Sequence, residues 1–281
     1  MSKEYSRREI LGMFSAGGAA YGLGFKSEKP THDIYVILDD AGGSSRDVAN
    51  IQSLLRTNIP LNLAIMPDTP YTSQVVKLMN QEDFYALLHI PGEPVRMVER
   101  GLKPEESGRD NGIYHDTPVE QVEPILRKNF ELINPNHLEK VVGLNFHMGS
   151  LVSENGPLME AVGNFLKKQG MIFIDSNTYD GVPRARAYDI IRQQGVISGI
   201  RNTDFLDNTT TKSHTLGKLK KMEQKAIITP VTVAIGHIGH TSTKDALIEF
   251  VESYQLQGGD LIKDVGPCIL RLMNIRDFRG L

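Results

Sequence analysis

Six side chains that can bind a cation or move a proton recur at equivalent places in this 281-residue sequence. Asp39-Asp40, His89, His147, Asp175 and His237 each stand within a residue or two of the carboxyl end of a short apolar run. Carboxylates and imidazoles together suit a divalent cation, and imidazole also titrates near neutral pH, so the set is equipped for metal binding and for acid–base work. A lone histidine at a strand end is usually structural, but five strand ends bearing such groups point to one shared pocket. Cys268 is the only cysteine, which excludes an intrachain disulfide and a cysteine-based zinc cluster. The chain also lacks a Gly-x-Ser-x-Gly elbow, so chemistry through an activated water is better supported than a covalent acyl-enzyme.

The apolar runs must bring these groups together. Ile34–Leu38 is β-branched and apolar and reads as a buried strand with the two acids at its tip. Further strands are expected at Leu61–Met66, Tyr85–His89, Val141–Phe146, Met171–Asp175, Val196–Ile200 and Val231–Gly236. Helical spacing falls between them, at Val48–Leu55, Tyr71–Asn80, Pro118–Leu132, Gly156–Lys168, Arg186–Gln194 and His214–Lys225, with a last helix at Lys244–Gln257. Strand–helix alternation predicts a parallel sheet, because each parallel crossover needs a helix to cover the sheet face. About seven such units favour an α/β barrel over a doubly wound open sheet with the same alternation. In both, the carboxyl ends of the strands converge on one face, where active sites are built. The segment Pro94–Thr117, rich in charge and glycine, follows the His89 strand and is expected to form a lid.

Hydrophobic residues make up 40% of the chain and charged residues 23%, an ordinary balance that argues against disorder. The net charge of −3 and the lack of a long basic stripe with interleaved aromatics argue against a nucleic-acid partner. Residues 1–30 differ in kind. Arg7-Arg8 precedes Ile10-Leu11 and an uncharged, Gly/Ala-rich run from Leu11 to Phe25, which resembles a twin-arginine export signal followed by a linker. That run is too short and glycine-rich for a stable membrane span. The expectation is a periplasmic or otherwise extracytoplasmic protein whose residues 31–281 form one barrel domain.

Six ordered segments between about Asp33 and Gly266 resemble the divergent polysaccharide deacetylase family, relatives of the NodB-type carbohydrate deacetylases. They are Ile37-Leu38-Asp39-Asp40, Leu88-His89-Ile90-Pro91-Gly92-Glu93-Pro94, Gly143-Leu144-Asn145-Phe146-His147-Met148-Gly149-Ser150, Phe173-Ile174-Asp175-Ser176, Arg201–Asn208 and Ile235-Gly236-His237. The resemblance implies a distorted barrel of about seven βα units and hydrolysis of N-acetyl or related acyl groups on a glycan. It implies that Asp40 binds a divalent metal, that Asp39 is the general base and that His237 protonates the leaving amine. His89 matches the first histidine of a His-x-x-x-His metal motif, but the second position is Glu93. Asp40, His89 and His147 are the favoured ligand set and Zn²⁺ the favoured ion. Glu93 is left as an alternative ligand, as a group orienting one, or as a loop acid. Asp175 is expected to hold an imidazole in its working tautomer, or else to cap a turn with Ser176 and Asn177. A contrasting expectation is a non-catalytic envelope protein that keeps the fold and binds a glycan or protein.

The leader generates one prediction. Replacing Arg7 and Arg8 together by lysine should leave the protein in the cytoplasm, as read by fractionation of cells expressing the full chain. Undiminished export of the double variant would remove the twin-arginine assignment.

Overall fold

The computed structural model describes residues 29–95, 111–135, 139–177 and 186–281. Apart from Lys29 and Pro30, the expected leader lies outside the described residues, as does the expected lid between residues 96 and 110. The chain runs β1 (Thr31–Ala41), α1 (Ser45–Leu54), β2 (Asn62–Ile65), α2 (Thr72–Gln81), β3 (Tyr85–Pro91), α3 (Val119–Ile133), β4 (Val141–His147), α4 (Gly156–Gln169) and β5 (Ile172–Asp175). It continues with α5 (Arg186–Gln193), β6 (Ser198–Ile200), α6 (Lys212–Ala226), β7 (Val231–His237), α7 (Thr241–Val251), β8 (Gln255–Gln257), β9 (Asp260–Asp264) and β10 (Ile269–Leu272). No helix among the described residues is long and apolar enough to cross a membrane.

Seven strands form one parallel run, in the spatial order β7-β1-β2-β3-β4-β5-β6. Their side chains alternate between two cores, as the two-residue period of a strand requires. One set, including Ile34, Val36, Leu38, Leu88, Leu144 and Ala234, packs under the helices. The other, including Tyr35, Ile37, Ala64, Leu87, Ile174, Val233 and Ile235, fills the concave interior. Register stacks the interior residues in layers: Tyr35 lies opposite Val233, Ile37 opposite Ile235, and Asp39 opposite His237. Across the sheet, Leu87 lies opposite Gly143 and His89 opposite Asn145. The polar groups are therefore the next layer above an apolar one, at the carboxyl ends of the strands.

The barrel is distorted at one seam. β6 and β7 are not paired as strands, and the segment after β6 bridges them instead. The Asn202 and Leu206 amides donate to the carbonyls of Val233 (3.1 Å) and Ile235 (2.9 Å). The Asn202 side chain imitates a strand neighbour, donating to Val231 O (3.1 Å) and accepting from Val233 N (2.9 Å). The closure thus carries Arg201–Asn208 to the top of the barrel.

The C-terminal strands were not foreseen. The last helix ends at Val251 rather than at Gln257, and β8 and β9 form a hairpin across Gly258-Gly259, both at positive φ. A Gly-Gly pair is a hairpin signal, since both central positions of a tight hairpin turn need positive φ. β10 then returns parallel to the start of β1. The 3₁₀ turn Ile275–Asp277 and Phe278 close the floor of the interior, where Phe278 meets Tyr35 edge to face with ring centres 5.1 Å apart. Asn62 clamps this turn by accepting from Ile275 N (2.7 Å). A Cβ on Gly199 would come within 2.5 Å of the Phe278 ring, so the floor residue needs glycine beside it.

Phe278→Ala should lower unfolding free energy by about 3–5 kcal/mol, the usual cost of emptying a buried phenylalanine site. Denaturant titration measures it. A loss below about 1 kcal/mol would mean that the C-terminal turn does not hold the floor.

Candidate active site

Consecutive strand residues face opposite ways, yet Asp39 and Asp40 both line the same cavity of about 470 Å³. Two local features reconcile this. The register of β1 against β2 shifts between Leu38 and Ala41, and Asp40 has φ of 65°. A bulge of this kind re-aims a side chain at the cost of local strain. Met148 (φ 55°) and Asn177 (φ 49°), just beyond β4 and β5, turn by the same device. Three of the four non-glycine residues with positive φ among those described therefore stand at this face. The helix after β1 does not need Asp39 or Asp40 as caps, because Asp47 accepts from the Ser44 amide (2.9 Å), the Ser44 hydroxyl (2.6 Å) and the Gly42 amide (3.2 Å).

Three ligand atoms converge at the mouth. Asp40 Oδ1 lies 2.8 Å from His147 Nδ1 and 3.1 Å from His89 Nε2, and the two nitrogens are 3.2 Å apart. Ligand atoms of a tetrahedral site with bonds of about 2.1 Å are about 3.4 Å apart, so the triangle needs only a small expansion to hold Zn²⁺. The proton arrangement agrees. Asn145 Nδ2 donates to Asp39 Oδ1 (2.9 Å), and an ionised carboxylate can only accept. The amide oxygen of Asn145 must then face His89 Nδ1 (2.8 Å), which carries a proton, so Nε2, now bonded to Asp40, is the ring nitrogen that would exchange its proton for a cation. The residues present fit a divalent cation.

The electrostatics describe a surplus of negative charge. Burial pushes the Asp39 carboxyl above its ordinary value, against the pull of the His89 imidazole. Burial also acts to raise Asp40, but the hydrogen bonds from His147 and His89 outweigh it and hold this carboxyl far below the usual carboxylate range. His89 is fully buried, which would lower its pKa, yet the carboxylates of Asp39 and Asp40 raise it. A divalent cation would satisfy the same field.

A second cluster, beside Asp39 on the neighbouring strand β7, has a different character. Asp207 accepts from the His237 amide (2.6 Å), His237 Nδ1 (2.8 Å), His240 Nδ1 (3.3 Å) and the Thr243 hydroxyl (2.7 Å). Oδ2 takes three of these donors and Oδ1 one, so the carboxylate is engaged by protons here, while the Asp207, His237 and His240 atoms also lie close enough together to hold a cation. Burial works against protonating His237, but the bond to Asp207 raises its pKa to about 9. The imidazole also stacks on Phe205, with ring centres 5.7 Å apart.

Asp39, Asp40, His89, His147 and His237 all line one cavity. Glu93 and Asp175 do not join them. Buried Glu93 accepts from the His115 amide (3.0 Å) and His115 Nδ1 (2.6 Å), so it anchors the chain at His115 and stands apart from the converging ligand atoms. Asp175 accepts from the backbone amides of Asn177 (2.8 Å) and Tyr188 (3.2 Å). This corrects the expectation that Asp175 holds an imidazole and agrees with the alternative, a cap on the turn at Asn177: its strand neighbours Ile172 and Ile174 face the interior, so the pleat turns Asp175 outward, where it also accepts from the first turn of α5. The carboxylate that does hold one is Asp207, to which no role was given. Asn145 carries no chemical signal of its own in the sequence, but its position two residues before His147 places both on one face of β4.

The comparisons with known proteins agree with this layout. Curated relatives are an uncharacterised protein, YibQ, of Escherichia coli K12 (24% identical over 220 residues, 77% of this chain) and an uncharacterised protein of Haemophilus influenzae (26% over 204 residues, 72% of this chain). The chain spans 61% and 65% of the lengths of these relatives. Among solved structures, the uncharacterised ATU2773 of Agrobacterium tumefaciens superposes with a TM-score of 0.65 at 15% identity, covering 81% of this chain and 85% of that one. The catalytic domain of a peptidoglycan N-acetylglucosamine deacetylase from Eubacterium rectale matches at 0.50 with 11% identity, over 88% and 91% of the two chains. A mutant of BA3943, a CE4 family pseudoenzyme of Bacillus anthracis, matches at 0.50 with 11% identity, over 90% and 68%. These likenesses establish the fold.

Asp40→Ala, His89→Ala and His147→Ala should each reduce Zn²⁺ retained per chain after dialysis, measured by elemental analysis, whereas Glu93→Gln should retain it. The reverse pattern, full retention in His147→Ala and loss in Glu93→Gln, would transfer the ligand position to Glu93. Residues 36–263 match the sequence profile of the divergent polysaccharide deacetylases, and the chain belongs to that family.

Proposed function

We propose that the protein is a metal-dependent hydrolase that removes N-acetyl or related acyl groups from an extracytoplasmic glycan, after export through its twin-arginine-like leader. The observation that carries this reading is the presence, in one cavity, of a three-atom ligand set beside Asp39 and a hydrogen-bonded His237–Asp207 dyad. Asp40, His89 and His147 would hold the metal, with Zn²⁺ favoured by the two imidazoles. When bound, such an ion polarises an acyl carbonyl and lowers the pKa of water.

The side chains then divide the proton work. Asp39, whose pKa burial raises, accepts a proton from the water that attacks the acyl carbon. Asn145 fixes the orientation of that carboxylate and of His89 at once. His237, held protonated by Asp207, gives its proton to the departing amine nitrogen as the carbon–nitrogen bond breaks. Acetate and a free amine result, and the two side chains exchange protons with solvent to return to their starting states. Burial raises the pKa of the base and the bond to Asp207 raises that of the acid, so each group holds its proton where its own role needs it.

A non-catalytic glycan-binding role is the competing reading. It is favoured by Glu93, which replaces a family metal histidine and is committed to His115.

Asp39→Asn should keep bound metal and lose about 10²–10⁴-fold in rate on an acetylated amino-sugar oligomer. His237→Ala should also keep metal, and should lose more on the amide than on an activated acetate ester, whose leaving group needs no proton. Because His237 must be protonated to act, activity should fall as pH rises through about 9. Asp207→Asn removes the partner that raises this pKa, so that limb should move toward 6.5, the ordinary value. Metal binding without acyl release from any glycan tried would support the binding reading. Wild-type rates in both Asp39→Asn and His237→Ala would remove these residues from the chemistry.

A further inference from the structure

A second cavity, of about 630 Å³, adjoins the one described above, and Arg201 and Asp204 line both. Both volumes lie within the range of small-molecule and sugar-sized sites. The wall of the second cavity is built by α6, from which Lys218, Lys221, Met222 and Lys225 project at spacings of three and four, one stripe of the helix. Arg201 completes the lining, so four cations and the single carboxylate of Asp204 surround this space, on a chain whose net charge is −3.

Those cations are poorly neutralised. Lys218 pairs with Asp204 at 2.6 Å. Lys225 donates to the Asn202 carbonyl, which carries no net charge. Arg201 is nine-tenths buried, and its guanidinium donates to the carbonyls of Ser176 (2.7 Å), Asn177 (2.6 Å) and Thr203, with Phe205 covering its face at 4.0 Å. Burial pulls the Arg201 pKa down, but a guanidinium remains charged. Lys221 has no hydrogen-bond or ion-pair partner among the described residues. Three like charges gathered in one recess repel one another, and an anion placed among them would relieve that repulsion. Their fixed position beside the metal-ligand cavity decides what kind of anion can be shared between the two spaces.

We propose that this cleft binds an anionic substituent, a carboxylate or sulfate, on the sugar next to the one whose acyl group faces Asp40, His89 and His147. The inference rests on the glycan reading given above and narrows it to acidic polysaccharides. Arg201 stands in the shared wall, so a chain crossing it would present one ring to each cavity. Lys221, exposed and free of other duties, is the residue with most to gain from an incoming anion.

Calorimetric titration of the full-length protein at low salt tests this with three probes of equal length. Chitotetraose is neutral, a hyaluronan tetrasaccharide carries carboxylates, and a chondroitin 4-sulfate tetrasaccharide carries carboxylates and sulfates. The acidic probes should bind about tenfold more tightly than chitotetraose, and Lys221→Gln should remove that advantage while leaving chitotetraose binding unchanged. A larger advantage for the chondroitin probe would assign the cleft to sulfate, and an equal one to carboxylate. A matched thermal melting curve for Lys221→Gln confirms that the fold is intact, and Lys221→Arg should restore the preference. His147→Ala should retain it, because the cleft does not use the metal ligands. Equal affinity for all three probes, no binding of the acidic ones, or a preference that survives Lys221→Gln would overturn the proposal. Acyl release is scored separately. An acidic preference without release would remove the hydrolase reading and keep the cleft, whereas equal release and equal binding with all probes would do the opposite.

Discussion

Two carboxylates on consecutive residues repel, and the upper layer of this barrel is organised around keeping both in one pocket. Buried without partners, one of the pair would take up a proton. Here the burden is divided. Asp39 is buried and receives a single amide hydrogen bond from Asn145, while Asp40 turns outward through a left-handed backbone and meets two imidazoles. The same amide passes the constraint to His89, so one hydrogen-bonded chain runs from Asp39 through Asn145 and His89 to Asp40. Changing any member would alter the tautomer or orientation of the next.

The neighbouring edge of the pocket, at His237, follows a different logic. Asp207 belongs to no strand, and it reaches His237 because the segment after β6 must turn back along β7 to seal the barrel. The irregular seam is therefore what supplies the partner of the imidazole. A regular strand pairing between β6 and β7 would have left His237 without that carboxylate.

Much of this was legible in the sequence because strand periodicity is a local property. Ile34–Leu38 followed by two acids, and Val231–Gly236 followed by His237, announce both the strand and the polar group at its tip. The parallel order and the assembly of Asp40, His89 and His147 follow from that alternation. Three features did not follow. Asp175 satisfied the same local pattern but faces outward, since four residues of apolar sequence do not reveal which side of the pleat will be interior. Asp207 lies in a stretch without periodicity, and its contacts span about thirty residues to His237 and Thr243. The C-terminal hairpin announced itself only by Gly258-Gly259, inside a stretch that continues the amphipathic pattern of α7.

β1 touches strands from both ends of the described chain: β10 beside its first residues, β2 beside its last, and β7 along its other edge. During synthesis β1 is made first and its partners β7 and β10 last, some two hundred residues later. One edge of a very apolar strand thus stays open for most of the time the chain is growing. Contacts this distant in sequence make folding slow and leave partly made chains prone to pairing with one another. The acidic tip of β1 gives that open edge two charges, which discourage such pairing until β7 arrives.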